Sequence, residues 1–345
     1  MSSAVTQRAT EVVLPGVVAP DGLQVRTRDL LAPAAGQVLL RMEATGVSFA
    51  EQQMRLGRYY DQPPFPFVPG YDLVGTVIAT GPRVDPTMTG RRFAAVTKTG
   101  GWASHVLLAA DDLVPVPAGV SPSAAETVLV NGVTAWQMLH RRAEVEAGDT
   151  VVVLGANGGV GSTLVQLARH AGATVIGTAA ERHHDRLRAL GVLPVDYHDP
   201  EHYARIRELA PDGVDAVFDH VGGPGVQKSW QLLRKGGTLV SYGTAAAKDD
   251  TGGSQVPLLK LLAQLKLWHA LPNHRSAYFY SFWSGVRNKA KFQRALADDL
   301  TRVLGLLEDG VIVPQIAAEI PLADASSALK LAESRTVAGK VVIVP

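Results

Sequence analysis

Residues 150–170 read Thr150-Val-Val-Val-Leu-Gly-Ala-Asn-Gly-Gly-Val-Gly161 and then Ser162-Thr-Leu-Val-Gln-Leu-Ala-Arg-His170. An apolar run stops abruptly in a glycine-rich turn and gives way to a helical pattern, so the stretch predicts strand, tight turn and helix. Each part has a task when the ligand is a pyrophosphate. The strand anchors the turn, the glycines let backbone N–H groups approach the phosphates, and the helix N-terminus adds partial positive charge. Ala156 stands where the first glycine of G-x-G-x-x-G is usual, leaving Ala-x-Gly-x-x-Gly. A tight strand–helix turn with no ligand is the plain alternative.

Outward from this unit, strand-like runs alternate with helical ones at 150–154, 174–177, 193–195, 216–219 and 238–241, which predicts βαβ units and a parallel sheet. Residues 276–283, aromatic on both faces, read as a sixth strand, and an apolar helical pattern over 258–268 precedes them. The polar, glycine-bearing 245–253 reads as a loop. Before the unit, residues 12–116 carry short β-like runs such as 37–42, 73–79 and 104–108, broken by Gly and Pro, and predict a mostly β, barrel-like domain. The tail predicts a long helix at 289–307, a strand at 311–316, a short helix at 323–333 and a final strand at 340–344.

The 345 residues suffice for two domains, and 46% hydrophobic with 19% charged residues suits a compact α/β protein. A formal net charge of +1 gives no electrostatic reason to expect nucleic acid or an anionic membrane as partner. Cysteine is absent, so disulfides, Cys nucleophiles and Cys-bearing zinc sites are excluded together. No run of about 18 apolar residues occurs and the N-terminus has no apolar signal core, so the expected location is cytoplasmic. His198-Asp-Pro-Glu-His202 fits the letters of a zinc motif, but Pro200 breaks the helix that would converge its histidines, and no metal is expected.

The second strand of a dinucleotide-binding unit commonly ends in an acid that accepts the ribose hydroxyls, about 20 residues past the glycines. Here it ends in Ala179 and Ala180, and Arg182, His183, His184 and Arg186 follow. An acid would repel a 2′-phosphate and cations attract it, so the residues favour NADPH. Glu181 is the objection, since it would serve a ribose if the strand ended later.

With the glycine turn in mid-chain, a β-rich first domain and Gly70-Tyr-Asp-Leu-Val-Gly-Thr-Val77, the sequence resembles the medium-chain dehydrogenase/reductase superfamily, more narrowly its zinc-independent quinone oxidoreductase branch. The resemblance is carried further by Ala44-Thr-Gly-Val-Ser-Phe-Ala-Glu51, Arg55-Leu-Gly-Arg-Tyr59, Phe65-Pro-Phe-Val-Pro-Gly70, Asn131-Gly-Val-Thr-Ala135, Val217-Phe-Asp-His-Val-Gly-Gly223 and Gly236-Gly-Thr-Leu-Val-Ser-Tyr-Gly243. It implies an α/β fold: a GroES-like β-rich catalytic domain over 1–125 and 286–345, and a Rossmann doubly wound parallel-sheet domain over 126–285. Zinc-dependent relatives carry Cys at the position of Ser48 and His at that of Tyr71. Family members commonly have Asn where this chain has Ser48, and Asp where it has Glu51.

The resemblance also implies a cofactor site. Ala156, Asn157, Gly158, Gly159, Val160 and Gly161 would form the pyrophosphate turn, and Thr134 would meet the nicotinamide end. Tyr197 would lie at the 2′-phosphate with one of Arg182, His183 and His184, and Thr178 would be a further cofactor contact. Val221, Gly222, Tyr242, Gly243, Thr244 and Tyr280 would line the ribose and nicotinamide, and Arg335 would reach a cofactor phosphate.

Reducing an ordinary ketone needs a strong electrophile such as zinc or a Tyr with a Lys four residues on, and none of the eight tyrosines has that lysine. Quinones and α,β-unsaturated carbonyls are easier hydride acceptors, because the developing charge spreads through conjugation and modest donors stabilise it. Tyr59 and Ser48 are the expected catalytic hydroxyls, and His220 a less favoured donor. The expected activity is NADPH-dependent reduction of a quinone or enone by a homodimer, with the 276–283 strand pairing across the dimer axis. Two rivals are a trans-acting enoyl reductase on CoA- or carrier-bound acyl chains and a non-catalytic NADPH-binding regulatory protein.

Overall fold

The computed structural model describes residues 5–243, 256–334 and 336–345. The loop expected at 245–253, Thr244 and Arg335 lie outside the described residues. The chain divides into two compact units, Met1–Val133 with Lys289–Pro345, and Thr134–Asn288.

The first unit opens with the hairpin of β1 (Val5–Val13) and β2 (Gln24–Leu31). It continues through β3 (Gln37–Val47), α1 (Phe49–Arg55), β4 (Asp72–Thr80), β5 (Arg92–Val96), β6 (His105–Ala109), β7 (Val114–Pro115) and α2 (Pro122–Trp136). A π-helical turn, Gln137–Arg142, ends α2.

The second unit holds β8 (Thr150–Val153), α3 (Gly159–His170), β9 (Thr174–Ala179), α4 (His184–Ala189), β10 (Leu193–Asp196) and α5 (His202–Leu209). β11 (Val214–Asp219), α6 (Gly225–Gln231), β12 (Leu233–Ser241), α7 (Val256–His269) and β13 (Ser276–Phe279) complete it. The chain then returns to the first unit through α8 (Lys289–Glu308), β14 (Ile316–Pro321), α9 (Ala325–Ser334) and β15 (Lys340–Val344).

In the first unit, β14, β15, β3, β4, β5 and β7 lie side by side, with β6 also paired to β3. β15 therefore sits beside β3 although most of the chain separates them. Their inward residues, among them Val38, Leu40, Val341 and Ile343, join Val12, Leu73, Phe93 and Trp102 in one core. The indole of Trp102 donates to Gly46 O at 3.0 Å, which satisfies the one polar atom this ring brings inside. The strand expected at 311–316 lies later, at Ile316–Pro321. Pro314 has no N–H to give a ladder, and pairing begins only where Ile316 meets Lys340.

The second unit is a six-stranded sheet in the order β10-β9-β8-β11-β12-β13, parallel at every pairing. Counted within the unit, this is third, second, first, fourth, fifth, sixth, the order of dinucleotide-binding sheets. Helices cover both faces of such a sheet, which explains why Val151, Val152 and Val153 are all buried and the strand reads as an unbroken apolar run. Strand order reverses between β8 and β11, and the crevice at their carboxyl ends is where ligands of this fold bind. Leu261 and Leu265 of α7 pack into the core of this unit, while Leu259 and Leu267 on its other side are exposed.

Candidate active site

At the carboxyl end of β8 the chain must reverse into α3 in a few residues. Gly155 has φ +69°, a conformation that glycine adopts without strain. Its N–H donates to Thr178 Oγ1 at 3.0 Å, and Ala156 N–H donates to Thr178 O at 2.9 Å, so the neighbouring strand pins the turn. A Cβ on Gly161 would stand 2.1 Å from Gly155 O, so only glycine lets the helix seat this close. Gly158 and Gly159 are exposed, Gly158 caps the helix without a side-chain bond, and the first turn of α3 holds no acid. This cradle fits a pyrophosphate: an exposed glycine turn leading into a helix N-terminus whose first turn carries no acid.

Two expected cofactor contacts face inward instead. Thr178 is 3% exposed and spends its hydroxyl on the turn, so it supports the cradle rather than lining it. His184 is buried, with Nε2 3.0 Å from Ala179 O. Sequence could not show this, because a helix start offers alternating inward and outward positions and the phase was unknown. Arg182, Arg186 and Tyr197 are exposed beyond the ends of β9 and β10, whose pairing sets Asp196 opposite Ala179. Burial first, then the charges of Arg182 and Arg186, hold the His183 imidazole below its ordinary range.

At the end of β11, Asp219 is fully buried and accepts from Val221 N at 2.8 Å, Gly222 N at 2.9 Å and Ser229 Oγ at 2.7 Å. It thereby shapes the loop that brings Val221 and Gly222 to the carboxyl edge. His220 Nδ1 lies 3.0 Å from Leu154 O, and since a carbonyl only accepts, Nδ1 carries the hydrogen. A Cβ on Gly155 would lie 2.3 Å from His220 Cε1, and one on Gly243 would lie 2.5 Å from His220 O. Imidazole, glycine turn and the exit of β12 are thus packed against one another. Tyr242 follows β12, its N–H on Asp219 O at 2.9 Å, and burial beside Asp219 pushes its phenol up. Tyr280 donates its hydroxyl to Gln137 Oε1 at 2.9 Å, on the π-helical turn that follows Thr134. Sequence reading passed over Gln137, and only the local widening of the helix marks it.

In the first unit, Ser48 ends β3 and caps α1. Its Oγ accepts from Ala50 N at 3.0 Å, and its N–H donates to Glu51 Oε2 at 2.8 Å. Its hydroxyl is also hydrogen-bonded to Glu51 Oε2. This is a capping box, but its acid is 2% exposed and also accepts Tyr71 N at 2.7 Å. Tyr59 Oη lies 2.9 Å from Tyr71 Oη, with the two rings edge to face. Burial first, then Tyr71 and Tyr60, push the Tyr59 phenol far up, so it stays a neutral donor. Beneath them lie the buried side chains of Asp72, Glu126 and Lys340. Among the described residues, no group of three or more His, Asp or Glu is arranged to hold a metal, and His202 Nδ1 is 2.7 Å from its neighbour Asp199 O.

Two family models match, the alcohol dehydrogenase GroES-like domain at 34–118 and the zinc-binding dehydrogenase at 190–343. The human synaptic vesicle membrane protein VAT-1 homolog is 32% identical, over 97% of this chain and 86% of its own. The chain belongs to the medium-chain dehydrogenase/reductase superfamily, in its quinone-reductase-like branch. Membership makes it an oxidoreductase working with a nicotinamide cofactor. The 2-haloacrylate reductase of Burkholderia sp is 29% identical, covering 91% of this chain and 92% of that protein. A mycobacterial protein solved in complex with NADPH superposes with a TM-score of 0.80 at 27% identity, over 98% of this chain and 100% of that one. No helix of the described residues is long and apolar enough to cross a membrane.

Proposed function

We propose that this medium-chain reductase transfers hydride from NADPH to a quinone or an α,β-unsaturated carbonyl, with no zinc in the reaction. In this reading the second unit binds the cofactor and the first supplies the hydroxyls that polarise the acceptor. The observation that carries the reading is the carboxyl end of β9: buried Ala179 and Ala180 where an NAD site has an acid, followed by exposed Arg182 and Arg186. A bound NADPH supplies the hydride. The exposed turn from Gly158 holds its pyrophosphate, and Arg182 with Tyr197 meets the 2′-phosphate in place of the inward-turned His184.

Ser48 and Tyr71 stand where zinc-dependent relatives carry Cys and His, and neither is a good zinc ligand. What remains is hydrogen-bond polarisation by Tyr59 and Ser48, which suits an acceptor whose charge is delocalised. β13 is the last strand of its sheet, and its pairing with a second copy makes the protein a homodimer. A monomer mass by light scattering at working concentration counts against that dimer.

The test of function is NADPH oxidation against a panel of quinones, enones and enoyl thioesters. Turnover on quinones or enones supports the proposal, and turnover confined to thioesters makes the protein an acyl-chain enoyl reductase. Tight NADPH binding with no turnover makes it a binding protein. Arg182→Ala should weaken NADPH binding about 10-fold or more and leave NADH nearly unchanged. Equal losses would mean that the 2′-phosphate lies elsewhere.

A further inference from the structure

The Ser48–Glu51 pair has a hydrogen-bond inventory that closes in two protonation states without movement of a heavy atom. With Glu51 ionised, Oε2 accepts both the Ser48 N–H and the Ser48 hydroxyl, and Oε1 accepts the Tyr71 N–H. The serine hydrogen is then spent on the carboxylate. With Glu51 protonated on Oε2, that proton points at Ser48 Oγ, which also faces the backbone N–H groups of Ala50 and Glu51 in the capping box. The serine hydrogen, no longer taken by the carboxylate, is then turned away from it as a donor.

The surroundings shift the balance toward the second state. Asp72 on β4, Glu126 on α2 and Glu51 on α1 form a buried group around the Lys340 cation on β15. Lys340 Nζ lies 2.5 Å from Glu126 Oε1 and 3.4 Å from Asp72 Oδ2, so it pairs directly with those two carboxyls and reaches Glu51 only through its charge. Burial pushes the Glu51 carboxyl up and the Asp72 charge adds to this, against the lowering by Ser48 and Lys340. Tyr71, from the segment before β4, gives Glu51 its backbone N–H.

We infer that Glu51 and Ser48 form a proton-delivery couple, in which Ser48 gives its hydrogen to the oxygen of the reduced acceptor while taking the proton of Glu51. The inference rests on the reductase reading above and names its proton source. Hydride arrives at a carbon of the acceptor and a conjugated oxygen gains the negative charge. The Ser48 O–H bond breaks as the bond to that oxygen forms, the Glu51 O–H bond breaks as Ser48 is restored, and Glu51 is left as carboxylate. Solvent reprotonates Glu51 through Ser48 once product has left. The sum is NADPH, acceptor and one proton giving NADP+ and the reduced acceptor.

The pH dependence has a defined sign. The delivering state is present below the pKa of Glu51 and is lost as pH rises through it, so kcat falls on the alkaline side.

The first measurement needs neither cofactor nor substrate. Infrared difference spectra of wild type against Glu51→Gln should show the carbonyl stretch of a protonated carboxylic acid at neutral pH, fading as pH is raised. Absence of that band at neutral pH overturns the couple and leaves the reductase reading intact. The second measurement is kinetic: Glu51→Gln should lower kcat about 10–100-fold and abolish the alkaline limb, with NADPH affinity held. Ser48→Ala should cost a similar factor, and the double variant should be no worse than either, since the pair acts as a unit. Losses that multiply, or a Glu51→Gln enzyme that keeps its alkaline limb, overturn the couple. Should wild type reduce nothing in the panel, the reductase reading falls and the couple with it, whatever the infrared band shows.

Discussion

Lys340 Nζ lies 2.5 Å from Glu126 Oε1, with side chains 3% and 0% exposed, joining the last strand to the helix that closes the first unit's leading segment. Desolvation disfavours the ammonium, but Asp72, Glu126 and Glu51 outweigh it and hold the lysine above its ordinary range. Burial raises Glu126 strongly in turn. Removing the cation leaves buried carboxyls with no compensating charge. Lys340→Met should therefore cost about 3–5 kcal/mol in urea unfolding near neutral pH. The cost should shrink in mild acid, where protonation discharges the carboxyls, and adding Glu126→Gln should recover part of it. A cost independent of pH would show that packing, and not charge, is what Lys340 provides.

A second expectation concerns the turn. Gly161→Ala would set a Cβ 2.1 Å from a backbone oxygen that has no freedom to move, since Gly155 is itself held by Thr178. The helix must withdraw from the turn, spoiling the alignment of its N–H groups on a pyrophosphate. NADPH affinity should fall at least 10-fold, about 1.4 kcal/mol, by fluorescence titration. Unchanged affinity in a folded variant would remove the pyrophosphate from this turn.

How much of this could be read in advance differs between the units. The glycine turn, the alternation after Thr150 and the sixth strand at 276 are local patterns, and local patterns survive in a sequence. Asp219 and Thr178 sit on such strands, but which way their side chains turn depends on neighbouring strands. The charged cluster was less legible still. Lys340 opens an apolar strand and Glu126 lies within an apolar helix, anomalies visible in the letters. Nothing local says that they meet across 214 positions of chain. Ser48-x-x-Glu51 has the letters of a capping box, but the contact of Glu51 with the Tyr71 N–H, 20 positions on, is one that no local pattern shows.

Gly305 offers a control for these glycine arguments. It lies inside α8, has no positive φ, and a Cβ there would meet nothing within 4 Å. Its only effect on stability is the extra freedom it gives the unfolded chain and its low helix propensity. Gly305→Ala should stabilise the protein by about 0.5–1 kcal/mol in urea unfolding, with NADPH affinity unchanged. A destabilised variant would mean that the helix surface there is covered in solution.

The last expectation separates two hydroxyls that touch. Tyr59 Oη and Tyr71 Oη are 2.9 Å apart, but Tyr71 is 4% exposed while Tyr59 is the less buried of the two. If Tyr59 polarises the acceptor, Tyr71 acts through it, donating to Tyr59 and so turning the Tyr59 hydrogen toward the acceptor. Tyr59→Phe should then lower kcat/KM about 10–100-fold, roughly 1.4–2.7 kcal/mol, in steady-state NADPH oxidation. Tyr71→Phe should cost only a few-fold, because the donor remains and loses one orienting bond. The raised phenol pKa adds a check of sign: Tyr59 stays protonated beyond its ordinary value of 10.0, so no limb from its ionisation should appear below that pH. The alkaline limb assigned to Glu51 should accordingly persist in Tyr59→Phe, on a lower plateau. Loss of that limb on removing the phenol would transfer proton delivery from the serine to the tyrosine pair.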